Sequence, residues 1–178
     1  AVVLSKQHLG CDATWVLDPT LLLTREDYLE ACMDVECKKP FVFAYILDES
    51  EKKISEIKHF AAAKGLGYRI ISAGPCANAK DTIEKWLSYF RDAKYVITDS
   101  FHGTVFSILF NKDFMVYGNN KRGNSRFNSL LGLFSLQNRL TASIPNEWPA
   151  IDWNTVNVAH RLKREESINW LISKLCQK

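Results

Sequence analysis

The chain alternates between short, continuously apolar runs and longer stretches in which apolar positions return every three or four residues. Phe41-Val42-Phe43-Ala44-Tyr45-Ile46-Leu47 is apolar at every position, which predicts a parallel strand covered on both faces. After the polar break Asp48-Glu49-Ser50, residues Ile54, Ile57, Phe60 and Ala61 recur at helical spacing, and Gly65 ends the pattern. Tyr68-Arg69-Ile70-Ile71 predicts the next strand. A helix over 82–90 follows, with Ile83, Trp86, Leu87 and Phe90 on one face. Tyr95-Val96-Ile97 predicts a third strand, Val105, Ile108 and Leu109 a helix, and Phe114-Met115-Val116-Tyr117 a fourth strand. Single helices between strands require parallel pairing through right-handed crossovers, so 41–117 read as α/β, a Rossmann-like parallel sheet flanked by helices.

The flanks carry weaker patterns. A helix-like stretch ends at Gly10, and Trp15-Val16-Leu17 is a short strand candidate stopped by Asp18-Pro19. Thr24 opens a helix running to about Met33, with Asp27 three residues on as an imperfect capping box. Beyond the sheet, Phe127, Leu130, Leu131 and Phe134 predict a helix that Ser125 can cap, and Val156 to Leu175 predict another. Trp148, Trp153 and Trp170 could stack on sugar rings, but large aromatics mostly fill cores and interfaces, and packing is expected of Trp170 in particular.

Composition narrows the class. The 178 residues suit one domain plus an extra segment, and 47% hydrophobic with 24% charged residues is an ordinary globular balance. A net charge of +3, without a basic stripe interleaved with aromatics, gives no reason to expect nucleic acid. Five cysteines, at 11, 32, 37, 76 and 176, form no CxxC pair and predict free thiols in a reducing compartment. With no signal peptide and no run of 18 or more apolar residues, a soluble cytoplasmic protein is expected. No HExxH or paired Cys/His spacing points to a metal, and His8, His59 and His160 are scattered, as surface residues would be. The chain opens on Ala1 without a start signal and is expected to begin inside a larger protein.

The chemistry concentrates where Tyr95-Val96-Ile97 gives way to Thr98-Asp99-Ser100-Phe101-His102-Gly103. A helix beginning just past a parallel strand presents unpaired amides and a positive dipole end at the sheet edge where ligands bind. Ser100 or Asp99 can cap that helix, Gly103 allows close backbone approach to a ligand, and His102 can donate, accept or carry a proton. Asp and Ser are also ordinary caps, and spacing alone does not separate capping from binding.

Three blocks, Trp15-Val16-Leu17-Asp18-Pro19-Thr20-Leu21-Leu22-Leu23, Thr98 to Ser107, and Arg122-Gly123-Asn124-Ser125-Arg126-Phe127, together resemble the polysaccharide pyruvyl transferase family. The resemblance implies the C-terminal domain of a two-domain GT-B-like fold. Residues 1–37 would then be the tail of the N-terminal domain and its connection, and 38–178 a Rossmann-like donor-binding domain with a C-terminal crossover helix. It implies a transferase that moves pyruvate from phosphoenolpyruvate, with no other cofactor, onto a hydroxyl pair of a glycan or lipid-linked sugar. The product would be a ketal on an exopolysaccharide or cell-envelope precursor made at the inner face of the membrane.

The family's Arg-any-His-Gly motif is matched by His102 and Gly103, while the arginine position holds Ser100, which cannot supply a bidentate cationic clamp. Arg126 is the first candidate to replace it and Arg122 the second, with a solvated loop the plain alternative for both. On this resemblance His102 would be general acid or phosphate ligand, and Asp99 would orient it or take a proton from the acceptor. Ser100 and the amides of His102, Gly103 and Thr104 would then hold phosphate. Asp18 reads as a shaper of the turn. Two other readings compete: a nucleotide-sugar glycosyltransferase, and a non-catalytic anion-binding or interaction domain.

Overall fold

A computed structural model describes residues 2–35, 39–72, 82–118 and 124–176. Five parallel strands form one sheet: β1 (Phe41–Ile46), β2 (Gly67–Ser72), β3 (Tyr95–Thr98), β4 (Asp113–Tyr117) and β5 (Leu140–Thr141), in the order β2-β1-β3-β4-β5. The continuously apolar run thus becomes a central strand: Val42 aligns with Tyr68 on one side and with Tyr95 on the other. Chain direction across the sheet reverses between β1 and β3, and such a switch point is where open α/β sheets leave a crevice for ligands. The four strands expected from sequence are present. The fifth, two residues long, was not foreseen, because two residues carry no periodicity.

The helices are α1 (Val2–Leu9), α2 (Arg25–Glu30), α3 (Glu51–Ala63), α4 (Ile83–Asp92), α5 (Phe101–Leu109), α6 (Ser125–Leu133) and α7 (Trp153–Leu175). Their starts follow capping chemistry: the side chains of Ser50, Thr82 and Ser100 each accept an amide of the first turn. Thr24 and Asp27 form a complete reciprocal capping box. Three expectations need correction. Residues 15–17 form no strand; Asp18 instead caps a 3-10 turn, Pro19–Leu22. α2 stops at Glu30, short of Met33, whose amide and carbonyl bond to Ser88 Oγ on α4 at 2.9 and 2.7 Å. Ser125 is the first residue of α6, and Asn124 holds the cap position.

Side chains alternate across the sheet, and the two faces are covered unequally. Phe41, Phe43, Val96, Phe114 and Val116 join Leu87 and Phe90 of α4, Val105, Phe106 and Leu109 of α5 and Phe127, Leu130 and Leu131 of α6 in the larger core. Val42, Ala44, Ile46, Ile97 and Tyr117 meet Ile57, Phe60 and Ala61 of α3 on the other face. That face is completed by Trp148, stacked on Phe60 at 4.6 Å. Each large apolar side chain buried this way contributes about 1.5–3 kcal/mol.

Leu17 and Leu21 are buried in the larger core, so the segment before α2 packs on the sheet domain. α7 clasps it from outside. Leu17 N–H donates to Ser167 Oγ (3.1 Å), Arg164 Nε donates to Leu22 O (2.6 Å), and His160 Nε2 lies 2.8 Å from Leu21 O.

Candidate active site at the carboxyl end of β3

The β3–α5 junction is closed by its own hydrogen bonds. Thr98 Oγ1 donates to Tyr45 O (2.6 Å) and accepts the Ser100 amide (3.0 Å). Ser100 Oγ accepts the Gly103 amide (3.2 Å), while Ser100 O accepts both the Thr104 amide and hydroxyl at 3.0 Å. Ser100, Gly103 and Thr104 are buried. The sequence expectation placed all three against the donor; the geometry uses them within the first turn, and two of the three amides foreseen as a phosphate cradle are already bonded. Gly103 does permit a close approach, to Thr98: a Cβ there would lie 2.3 Å from Thr98 Oγ1.

Asp99 faces the switch point. Its carboxylate accepts Leu47 N (2.6 Å), Asp48 N (3.0 Å) and Lys53 Nζ (2.6 Å), and Lys53 also donates to Asp48 O (2.7 Å). Lys53 sits 5.4 Å from the centre of the Tyr117 ring, and Tyr117 O–H donates to Glu56 Oε2 (2.8 Å). Burial, then the Glu56 carboxylate, pushes the Tyr117 phenol far up. The Asp99 carboxylate thus ties β1 to β3 and α3, in a place where it makes no hydrogen bond to His102.

His102 projects outward from the first turn, about half exposed, with Nε2 3.8 Å from Asp18 Oδ1. Phe101 packs edge-on to it at 5.5 Å, and the Arg126 guanidinium carbon lies over the Phe101 ring, 3.9 Å from its centre. A guanidinium over an aromatic ring can still offer its N–H donors to an anion. Beside these groups opens a cavity of about 350 Å³, walled by Trp15, Leu17, Asp18, Phe101, Arg126 and Leu130 among others. His102 on α5 and Arg126 on α6 each pack against Phe101, and Arg126 and Phe101 line the cavity.

The family model for polysaccharide pyruvyl transferase matches residues 3–121. The chain belongs to the polysaccharide pyruvyl transferase family. No curated protein matches it at a significant level. The stretch matched to this transferase family takes in Asp18 and the whole β3–α5 junction and ends before Arg126, so the cation stacked on Phe101 is contributed from outside it.

Other expectations sort against the same geometry. Arg122 lies outside the described residues, as do Cys37 and Cys76; Cys11, Cys32 and Cys176 are free. His8 and His59 are exposed, but His160 is half-buried against Leu21 O, and burial lowers its proton affinity. Trp148 and Trp153 pack on the two cores, whereas Trp170, the tryptophan most expected there, stands half-buried outside both. Among the described residues no three His, Cys, Asp or Glu side chains gather as metal ligands, and no helix is long and apolar enough to cross a membrane. The sequence reading missed two features: the approach of Asp18 to His102 and the Lys53–Asp99 pair. Asp18 follows an apolar triplet and precedes a proline, and so reads as turn chemistry; nothing local hints at a histidine far along the chain.

Proposed function

We propose that this chain supplies the donor site of a ketal pyruvyltransferase, taking phosphoenolpyruvate as donor and a hydroxyl pair of a glycan or lipid-linked sugar as acceptor. The acceptor would be a cell-surface polysaccharide precursor assembled on the cytoplasmic side. The observation that carries the reading is the Arg126 guanidinium over the ring of Phe101, the residue before His102, in the wall of an open cavity. Arg126 stands in for the motif arginine that Ser100 replaces, and its fork matches the carboxylate or phosphate of the donor bidentately.

The reaction adds a proton to the donor's methylene carbon, making it the ketal methyl group. Two acceptor hydroxyl oxygens bond to the adjacent carbon, and the bond from that carbon to the phosphate oxygen breaks. The hydroxyls release two protons, one balancing the methyl group and the other leaving with phosphate. His102 gives the proton to the methylene carbon, a role imidazole suits near neutral pH. A nucleotide-sugar donor is disfavoured because the β1–β3 crevice, where this fold class holds nucleotides, is bridged by Asp99 bonded to Lys53 and to the Leu47 and Asp48 amides.

Calorimetric titration of phosphoenolpyruvate, with phosphate release followed in the presence of glycan acceptors, tests the reading. Saturable binding is expected. It should weaken roughly 10- to 100-fold in Arg126→Ala, the worth of a charge-assisted hydrogen-bonded contact, and His102→Ala should abolish turnover while folding normally. Absence of binding by the parent chain, alone and joined to its partner domain, would move the assignment to a non-catalytic anion-binding domain.

A further inference from the structure

We infer that Trp15 is the stacking platform for the acceptor, holding one pyranose ring of the glycan by its apolar C–H face in the cavity that Arg126 borders. The assignment to an acceptor rests on the transfer reading above, whereas the sugar-binding surface itself does not. Trp15 is 43% exposed and forms cavity wall together with Leu17, Leu130 and Leu133. The tryptophans that the sequence offered for sugar stacking lack this setting: Trp148 and Trp153 pack on the cores, and neither they nor Trp170 line the cavity. Lys163 Nζ of α7 lies over the Trp15 ring, 4.6 Å from its centre, and is itself paired with Glu166 at 2.7 Å. Two residues on, the Leu17 amide is bonded to Ser167. The indole is therefore fastened from α7, which lies outside the cavity, and a platform held in advance loses little freedom when a ligand stacks on it.

The rest of the wall does not suit phosphoenolpyruvate. Among the described residues that line the cavity, Arg126 is the one cation, and Asp18 adds a carboxylate. A small anion gains nothing from leucines and is repelled by Asp18, so the donor fits the Arg126 edge alone. A sugar ring is neutral and two-natured: its C–H face is apolar and its rim carries hydroxyls. The indole and the leucines match the face, while Asp18, Ser125 and Ser129 offer polar partners to the rim. Asp18 Oδ1 accepts the Thr20 amide (3.1 Å), and Oδ2 has no partner among the described residues, which leaves an acceptor for a sugar hydroxyl. Asp18 Oδ1 also lies 3.8 Å from His102 Nε2, so a hydroxyl bonded to this carboxylate stands beside the group assigned to the proton transfer.

Trp15→Leu tests this, because leucine keeps apolar bulk in the wall and removes the ring. Methyl glycosides and disaccharides of glucose, galactose and mannose serve as probes, with binding followed by saturation-transfer NMR. The protein should bind at least one of them saturably without phosphoenolpyruvate, with transfer strongest to the C–H protons of one ring face. Trp15→Leu should weaken that binding roughly 10-fold. Trp15→Phe, which keeps a smaller platform, should lose less, and both should bind phosphoenolpyruvate as the parent does. In turnover the KM for the acceptor should rise with kcat little changed. Equal sugar binding by the parent and Trp15→Leu, or binding of none of these sugars, overturns the inference. In the unaltered protein, bound sugar must slow the oxidation of Trp15 by N-bromosuccinimide, read by mass spectrometry, a measurement that does not depend on either variant folding. Oxidation slowed as much by phosphoenolpyruvate alone would give the indole to the donor and overturn the inference as well. Sugar binding that Trp15→Leu loses, in a protein that never turns over, would remove the transfer reading and leave the platform. Turnover whose acceptor KM is unchanged in Trp15→Leu would remove the platform and leave the transfer reading.

Discussion

Gly103 shows how tightly a single position constrains the site. A Cβ at this position would sit 2.3 Å from Thr98 Oγ1 and 3.0 Å from Thr98 Cβ, with α5 and β3 both fixed in the core. Gly103→Ala should therefore destabilise the fold by about 1–3 kcal/mol, the usual cost of overpacking, read as a lowered denaturation midpoint. Asp99 is a second such position. Asp99→Ala strands a partly buried ammonium and two amides, and about 3–5 kcal/mol of stability should be lost, whereas an exposed ion pair would cost under about 1 kcal/mol. A midpoint unchanged in Asp99→Ala would show that the Lys53 pair does not hold the sheet edge. Both residues stood out in the sequence as ligand-contacting, and the structure turns them inward. Polar residues at a strand end carry the same local signature whether they face a ligand or one another, and only the packing of β1, α3 and α5 decides between these.

At the scale of elements, the sheet was legible because its central strands are apolar throughout, a pattern that only two-sided burial explains. Trp15-Val16-Leu17 has the same local character but lies where no neighbouring strand edge is offered, so it becomes cavity wall. The contacts between elements carry the pH response, in two separate windows. His160 on α7 is held below its ordinary value of 6.5, chiefly by burial. The unfolded chain then binds the proton more readily than the folded one, so this contribution is whole above about pH 6.5 and is lost as pH falls through the folded value. Thermal midpoints should decline on acidification from pH 6.5, and His160→Gln, which keeps a donor for Leu21 O, should flatten that slope. Glu56 on α3 behaves similarly at lower pH. Burial raises its carboxyl, but hydrogen bonds from Tyr117, the Ile144 amide and Ser143 outweigh it and hold the group below its ordinary value of 4.5. Its contribution is present above about pH 4.5 and disappears as pH falls through the folded value, and Glu56→Gln should shrink the acid limb, to which Asp27, Glu84 and Asp152 also contribute, without altering the one near neutrality.

For the whole molecule, the decisive fact is that the candidate site is assembled from three stretches of chain: Trp15 to Asp18, Phe101 with His102, and Arg126. The last two sit on helices anchored in the core. The first is irregular backbone, fastened by Leu17, Leu21 and the bonds that α7 makes to it. α7 thus acts on the site without touching the cavity, and Ser167 is where this can be tested. Ser167→Ala removes the acceptor of the buried Leu17 amide, and an orphaned buried donor costs about 1–3 kcal/mol. That loss falls on the wall that carries Asp18. Amide exchange at Leu17 should accelerate, exchange in β1 and β3 should keep its protection, and phosphoenolpyruvate should bind more weakly than to the parent, although residue 167 lies outside the cavity wall. Equal protection of Leu17 in the variant and the parent would show that the Ser167 hydroxyl is not what holds the segment in place.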